Sequence, residues 1–325
     1  MSNIINKDRF EIRPYQTGDE SEILKLFQTC FGREMSMEYW RWRFWNNPLK
    51  DVLIELAWDG DTLAGHYAAS PVALMIDKKE HQTALSMTTM THPDYRGLSL
   101  FPILAKSLYN RMKENNYHMV WGFPNKLSHR GFLRDLDWKD IYKIPIFAAD
   151  IEKIKEPQEI SENIVELHGF DDRFDSLFQM ATQESSTSIM VKRNSKFLTW
   201  RFSEHPENSY YILGYIESGD LLGYAVYKKY RNALDIVDLL AVSDQNIGLK
   251  LVSAVISVAR GKDIQHINMW LPLNRKLHRE LERIGFTNEA PITYWGICPL
   301  NSLLKTADVL NYRNWYFTMA DSDVY

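Results

Sequence analysis

Met90-Thr-His-Pro-Asp-Tyr-Arg-Gly-Leu-Ser-Leu-Phe101 is the stretch whose reading decides the fold. A Thr-rich apolar strand, Ala84 to Thr91, runs into this tight basic turn, and a helical run to Asn115 follows without a linker. A second apolar strand, Tyr117-His-Met-Val-Trp-Gly122, comes next. Strand, basic turn, helix, strand is how a chain builds an anion cradle. The turn converges backbone N–H groups, the helix N-terminus adds unpaired donors and the positive end of its dipole, and Arg96 adds a fixed charge. The guest this arrangement suits best is a pyrophosphate.

The turn resembles the acyl-CoA-binding motif of the GNAT N-acetyltransferases, Arg/Gln-x-x-Gly-x-Gly/Ala, whose amides hold the coenzyme A pyrophosphate. The six positions here are Arg96, Gly97, Leu98, Ser99, Leu100 and Phe101. Arg96 matches, while Ser99 and Phe101 stand where the family has small or absent side chains. The short Ser99 side chain still permits close backbone approach, and Phe101 fits if it turns inward as the first core residue of the helix. The resemblance implies that Met90, Thr91 and His92 form the strand edge facing the pantetheine arm, with Asn125 on the exit of the opposing strand. Asn125 has two readings, an amide partner for pantetheine or the N-cap of a helix over Leu127–Leu136.

Internal repetition is the second signal. Trp42-Arg-Phe-Trp-Asn-Asn-Pro48 returns 158 positions later as Trp200-Arg-Phe-Ser-Glu-His-Pro206. Each copy closes an aromatic-rich helix that Pro terminates. A hairpin pattern around a Gly-Asp turn follows each: Leu53–Trp58 and Leu63–Ser70 about Asp59-Gly60-Asp61, then Tyr210–Ile216 and Leu221–Tyr227 about Ser218-Gly219-Asp220. His118–Gly122 with Asn125 parallels Ile267–Leu271 with Asn274. The order predicts an α/β (α+β) chain of two tandem GNAT-like domains, each a mixed, splayed central sheet flanked by helices. Residues 1–150 form the acyl-CoA-binding domain, 151–166 a charged linker, and 167–325 a second domain with a C-terminal strand. The second copy reads as degenerate for coenzyme A: Ala241–Gly248 lacks the Arg and places Asp244 where a pyrophosphate would be repelled.

Composition sets the outer limits. At 325 residues, with 45% hydrophobic and 13% aromatic content, two packed cores are affordable. No apolar run approaches the roughly 20 residues of a membrane span, and the polar N-terminus carries no signal-peptide pattern. Two cysteines, Cys30 and Cys298, suggest neither a disulfide framework nor a metal site. The expectation is a cytoplasmic protein that uses no metal and meets no membrane. Residues 1–150 carry 19 basic and 19 acidic side chains and the remainder 19 and 23, which disfavours a nucleic-acid partner.

The implied chemistry is direct transfer from acetyl-CoA, or another acyl-CoA, to a small amine such as an amino sugar. Alternatives are aminoacyl-tRNA-dependent transfer and non-catalytic ligand binding. The family's Tyr seven residues after the notch Asn is absent, because that position is Phe132. His66 and His129 are the candidate acids or bases, since imidazole titrates near neutrality. His92, in a Thr-His-Pro turn, reads as a shaper of that turn. Asn314–Met319 alternates like a strand, and Asp321 and Asp323 after it suit either a substrate ammonium or a solvated tail.

Overall fold

The computed structural model describes residues 9–155, 161–184, 188–242, 246–260, 262, 264–301 and 306–325. In its first half the chain forms β1 (Glu11–Pro14), α1 (Glu20–Phe31), β2 (Leu53–Asp59), β3 (Thr62–Ile76), β4 (Lys79–Thr91), α2 (Leu100–Glu114), β5 (Met119–Gly122), α3 (His129–Asp135) and β6 (Lys139–Asp150). The second half forms β7 (Ile164–Leu167), α4 (Asp172–Glu184), β8 (Ile189–Val191), β9 (Tyr211–Glu217), β10 (Asp220–Tyr230), β11 (Ala233–Ala241), α5 (Ile247–Arg260), β12 (His266–Met269), α6 (Lys276–Ile284) and β13 (Thr287–Pro299). Asp244 lies outside the described residues.

Two compact units emerge, and neither is contiguous. The first comprises Met1–Ala73, His81–Asp140 and Trp295–Thr306; the second comprises Leu74–Glu80, Ile141–Tyr294 and Ala307–Tyr325. In the first, the sheet order is β1-β2-β3-β4-β5-β13, and the last rungs pair Gly122 with Gly296 and Met119 with Pro299, antiparallel. In the second, the order is β6-β12-β11-β10-β9-β7, with β6 pairing β12 from His266↔Asp150 to Met269↔Phe147. Each half of the sequence thus supplies the strand that completes the other half's sheet.

The feature that makes a site is the parting of two parallel strands. β4 and β5 pair only from Ala84↔Val120 to Ser86↔Gly122; β4 then runs on to Thr91 beside β3 but parted from β5. Gly122 closes the last rung, and a Cβ there would sit 3.0 Å from the Ser86 carbonyl oxygen. Behind the strands, α2 buries Leu100, Leu104, Leu108 and Met112 against Ala64, Tyr67 and Val120. A buried chain of hydroxyls pins this layer. The Trp138 indole donates to the Tyr109 hydroxyl at 2.9 Å, which lies 2.7 Å from that of Tyr67, itself 2.8 Å from Ser86 Oγ.

The repeated motif folds alike in both units. Ser36 and Asn194, again 158 positions apart, each cap a short helix, Met37–Trp40 and Ser195–Leu198, by accepting from an amide three residues on. Each helix widens into a π turn, Arg41–Trp45 or Thr199–Ser203, that buries its Trp-Arg-Phe triplet.

Candidate active site

The basic turn takes the form its sequence demands. His92 caps a 3-10 turn over Pro93–Tyr95, its Nδ1 accepting from the Asp94 amide at 3.3 Å, so it shapes the turn as expected. Gly97 then takes φ +83°, a conformation that strains any residue with a Cβ, and the chain enters α2 through Ser99 at φ 56°. The Leu98 amide closes the turn on the Tyr95 carbonyl at 3.4 Å. Among the described residues, nothing accepts from the amides of Gly97, Ser99, Leu100 or Phe101. Pro102, in the first helical turn, removes a donor the helix could not have used. Four unspent amides therefore cluster at the positive end of a 15-residue helix.

These groups open onto a pocket of about 340 Å³ lined by Thr91, Tyr95, Arg96, Gly97, Ser99, Leu100, Phe101, Pro102, Arg134 and Asp135. Arg96 is exposed and has no ion-pair partner among the described residues. Arg134 and Asp135, on α3, form a bidentate pair at 2.7 Å on the pocket rim, and Arg134 holds the Asp135 carboxyl below the usual carboxylate range. The sequence reading missed both; a motif reading stops at the turn, and only the packing of α3 on α2 brings them here. Phe101 turns inward as required. Its ring meets Phe132 at 5.0 Å and Tyr67 at 6.0 Å, lying against Gly131 where a Cβ would approach it to 3.3 Å. Phe132 is core, 5% exposed, stacked edge-on against Trp138.

The strand edge carries one residue in left-handed backbone. Thr88 sits at φ 48°, unusual for a β-branched residue, two positions past the last paired rung. His66 explains how it is held: its Nδ1 lies 2.8 Å from the Thr88 carbonyl, and so carries the proton. His66 is fully buried, and burial pushes its pKa down to about 4. His66, expected as an acid or base, is placed in the core with its Nδ1 on the Thr88 carbonyl. His129 differs. It opens α3 with Nε2 2.7 Å from Asp140 Oδ1, and its side chain keeps 17% exposure. Asn125 spends its Oδ1 on the amides of Leu127 and Ser128, both at 2.9 Å, so the capping reading holds for that oxygen; the regular helix begins at His129. Met90 is buried, Thr91 reaches the pocket, and the Thr91 carbonyl also accepts from the Cys30 thiol at 3.4 Å.

Residues 11–141 match the acetyltransferase (GNAT) domain. Three solved structures share the wider fold. A GCN5-related N-acetyltransferase from Anabaena variabilis superposes with a TM-score of 0.71 at 15% identity, covering 90% of this chain and 73% of that one. A conserved protein of unknown function from Enterococcus faecalis, described as a probable N-acyltransferase, gives 0.71 at 14%, covering 90% and 72%. A GCN5-related N-acetyltransferase from Kribbella flavida gives 0.67 at 16%, with the same coverage. No curated protein matches the chain. Both units are thus GNAT-like folds, each with a mixed sheet flanked by helices, and no helix among the described residues is long and apolar enough to cross a membrane.

The acidic ending is not a strand and not a solvated tail. Asn314–Met319 makes one isolated bridge, Ile189↔Trp315, and a 3-10 turn over Met319–Asp321 follows. Its alternation reflects burial of Trp315, Phe317 and Met319 rather than pairing with a neighbouring strand. Asp321 is 5% exposed; burial raises its pKa while Arg193, 2.9 Å away, opposes the rise. The same guanidinium binds Asp238 at 3.0 Å, so Asp321, expected as a partner for a substrate ammonium, pairs with Arg193 within its own unit. Asp323 is partly buried beside it.

Proposed function

We propose that the first unit is an acyl-CoA-dependent N-acyltransferase, using acetyl-CoA and acting on a small amine, with amino sugars among its acceptors. The observation that carries this reading is the set of four unspent amides, Gly97, Ser99, Leu100 and Phe101, opening with Arg96 onto one pocket. A pyrophosphate needs that combination of converging donors and positive potential. The amides and Arg96 hold the pyrophosphate; the edge of β4 from Met87 to Thr91 that has parted from β5 offers backbone groups to the pantetheine amides. Direct transfer then needs the amine placed beside the thioester and one proton removed from it. His129, partly exposed and paired with Asp140, is the histidine suited to that proton. The domain boundary of the coenzyme-binding unit follows the compact unit rather than residues 1–150.

The test is thermal stabilisation of the full chain by acetyl-CoA, by coenzyme A and by tRNA. Stabilisation by the first two, rising with concentration as mass action requires, supports the proposal; stabilisation by tRNA alone would refute it.

A further inference from the structure

Two arginines hold equivalent places in the repeated π turns and have different company. Arg201, 1% exposed, donates to the Ala320 carbonyl at 3.2 Å, the Ser322 carbonyl at 3.3 Å and the Tyr325 carbonyl. Those oxygens belong to Trp315–Tyr325, which lies where β11 and β12 part. Ile236↔Met269 is their last rung; beyond it Thr318 Oγ1 donates to Asp238 at 2.8 Å, the Tyr316 hydroxyl donates to the Leu239 carbonyl, and Tyr325 packs edge-on against Trp270 at 5.3 Å. Asn274, the counterpart of Asn125, donates to the Arg313 carbonyl at 3.1 Å. The second unit's notch is filled by its own chain.

Arg43 stands 158 positions before Arg201 and is 3% exposed. Among the described residues its hydrogen-bond partner is the Tyr39 hydroxyl, at a long 3.5 Å, and its guanidinium lies 4.7 Å from the Trp42 ring centre. No carbonyl and no carboxylate there takes up its other donors. The surroundings match those of the filled notch. Phe44 contacts His66 at 6.5 Å, and His66 grips Thr88 as Tyr224, its counterpart 158 positions on, grips Asp238. A guanidinium 3% exposed, whose oxygen partner among the described residues is one hydroxyl at 3.5 Å, still has donors to offer a ligand.

We propose that Arg43 binds a carboxylate of the acceptor, in the part of the first unit's notch that corresponds to the space Trp315–Tyr325 fills in the second. This rests on the acyltransferase reading and narrows its substrate class to amines that also carry a carboxylate. Arg201 collects three carbonyls spread over six residues; a small acceptor cannot supply three, whereas one carboxylate offers two oxygens to the guanidinium fork and cancels its charge.

The experiment measures thiol release from acetyl-CoA by the full chain with matched acceptors: alanine, alaninamide and alaninol, the same trios for phenylalanine and lysine, and glucosamine against its 6-carboxylate. The expected result is a ten- to hundred-fold preference in kcat/KM for the carboxylated member. Arg43→Met should abolish that preference through KM while acetyl-CoA affinity stays intact, and Arg43→Lys should restore part of it. Equal turnover of acids and neutral counterparts by the intact protein overturns the proposal, even if Arg43→Met fails to fold, and so does an Arg43→Met protein that keeps the preference. An intact protein that does not bind acetyl-CoA sinks the acyltransferase reading instead.

Discussion

Acidification should destabilise the first unit through one residue, His66. Its unfolded pKa is near 6.5 and its native value about 4. The unfolded chain therefore takes up the proton first, and stability falls as pH drops below about 6.5, with the loss complete near pH 4. Linkage gives a loss of about 2 kcal/mol between pH 7 and pH 5, and about 3 kcal/mol by pH 4. Other groups also titrate in this range, so the perturbation must isolate the ring. His66→Gln removes the titration and keeps an N–H for the Thr88 carbonyl. Urea unfolding at pH 7 and pH 5, followed by tryptophan fluorescence, compares the two proteins. The variant should be less stable than the parent at pH 7 and should close most of that gap at pH 5. Parallel losses of stability in both proteins would refute the account of His66 as a buried neutral clamp on the Thr88 backbone.

Further outcomes follow from the same geometry. Ser99→Gly should raise stability by up to about 1 kcal/mol, because Ser99 enters α2 at φ 56° without a capping bond from its side chain; a loss in thermal unfolding would contradict this. Asp135→Asn removes a negative charge from the pocket rim and should tighten acetyl-CoA binding a few-fold at low salt, an effect that 0.5 M NaCl largely removes. Arg193→Met strands Asp238 and Asp321 beside each other in the core and should cost about 3–5 kcal/mol, read as a fall in urea midpoint. Should His129 carry the amine's proton, His129→Gln lowers kcat without weakening acetyl-CoA binding.

The turn from Met90 to Phe101 was legible because its conformation is decided locally: Pro93 and His92 set the 3-10 turn, Gly97 the positive φ, and the helix supplies its own free amides. The repeat was legible for the same reason, since cap, π turn and hairpin each depend on neighbours a few residues away. The histidines were not. His66 and His129 look alike in sequence, and only the layers packed over them make one a sealed clamp and the other an exposed partner of Asp140. The strand exchange left no local trace either, because the residues of β6 and β13 do not themselves specify which sheet they join. The ending misled for a reason that is physical: Trp315, Phe317 and Met319 alternate because they fill a notch, and burial with period two imitates a strand.

Calorimetric titration of acetyl-CoA into the full chain, intact and as Arg96→Ala, tests the central claim most directly. The account predicts one site per chain, since the second unit's notch is occupied by Trp315–Tyr325, and a roughly ten- to hundred-fold weaker affinity in the variant, equivalent to about 1.5–3 kcal/mol for one charge-assisted contact. Two sites per chain, or an affinity indifferent to Arg96, would contradict it.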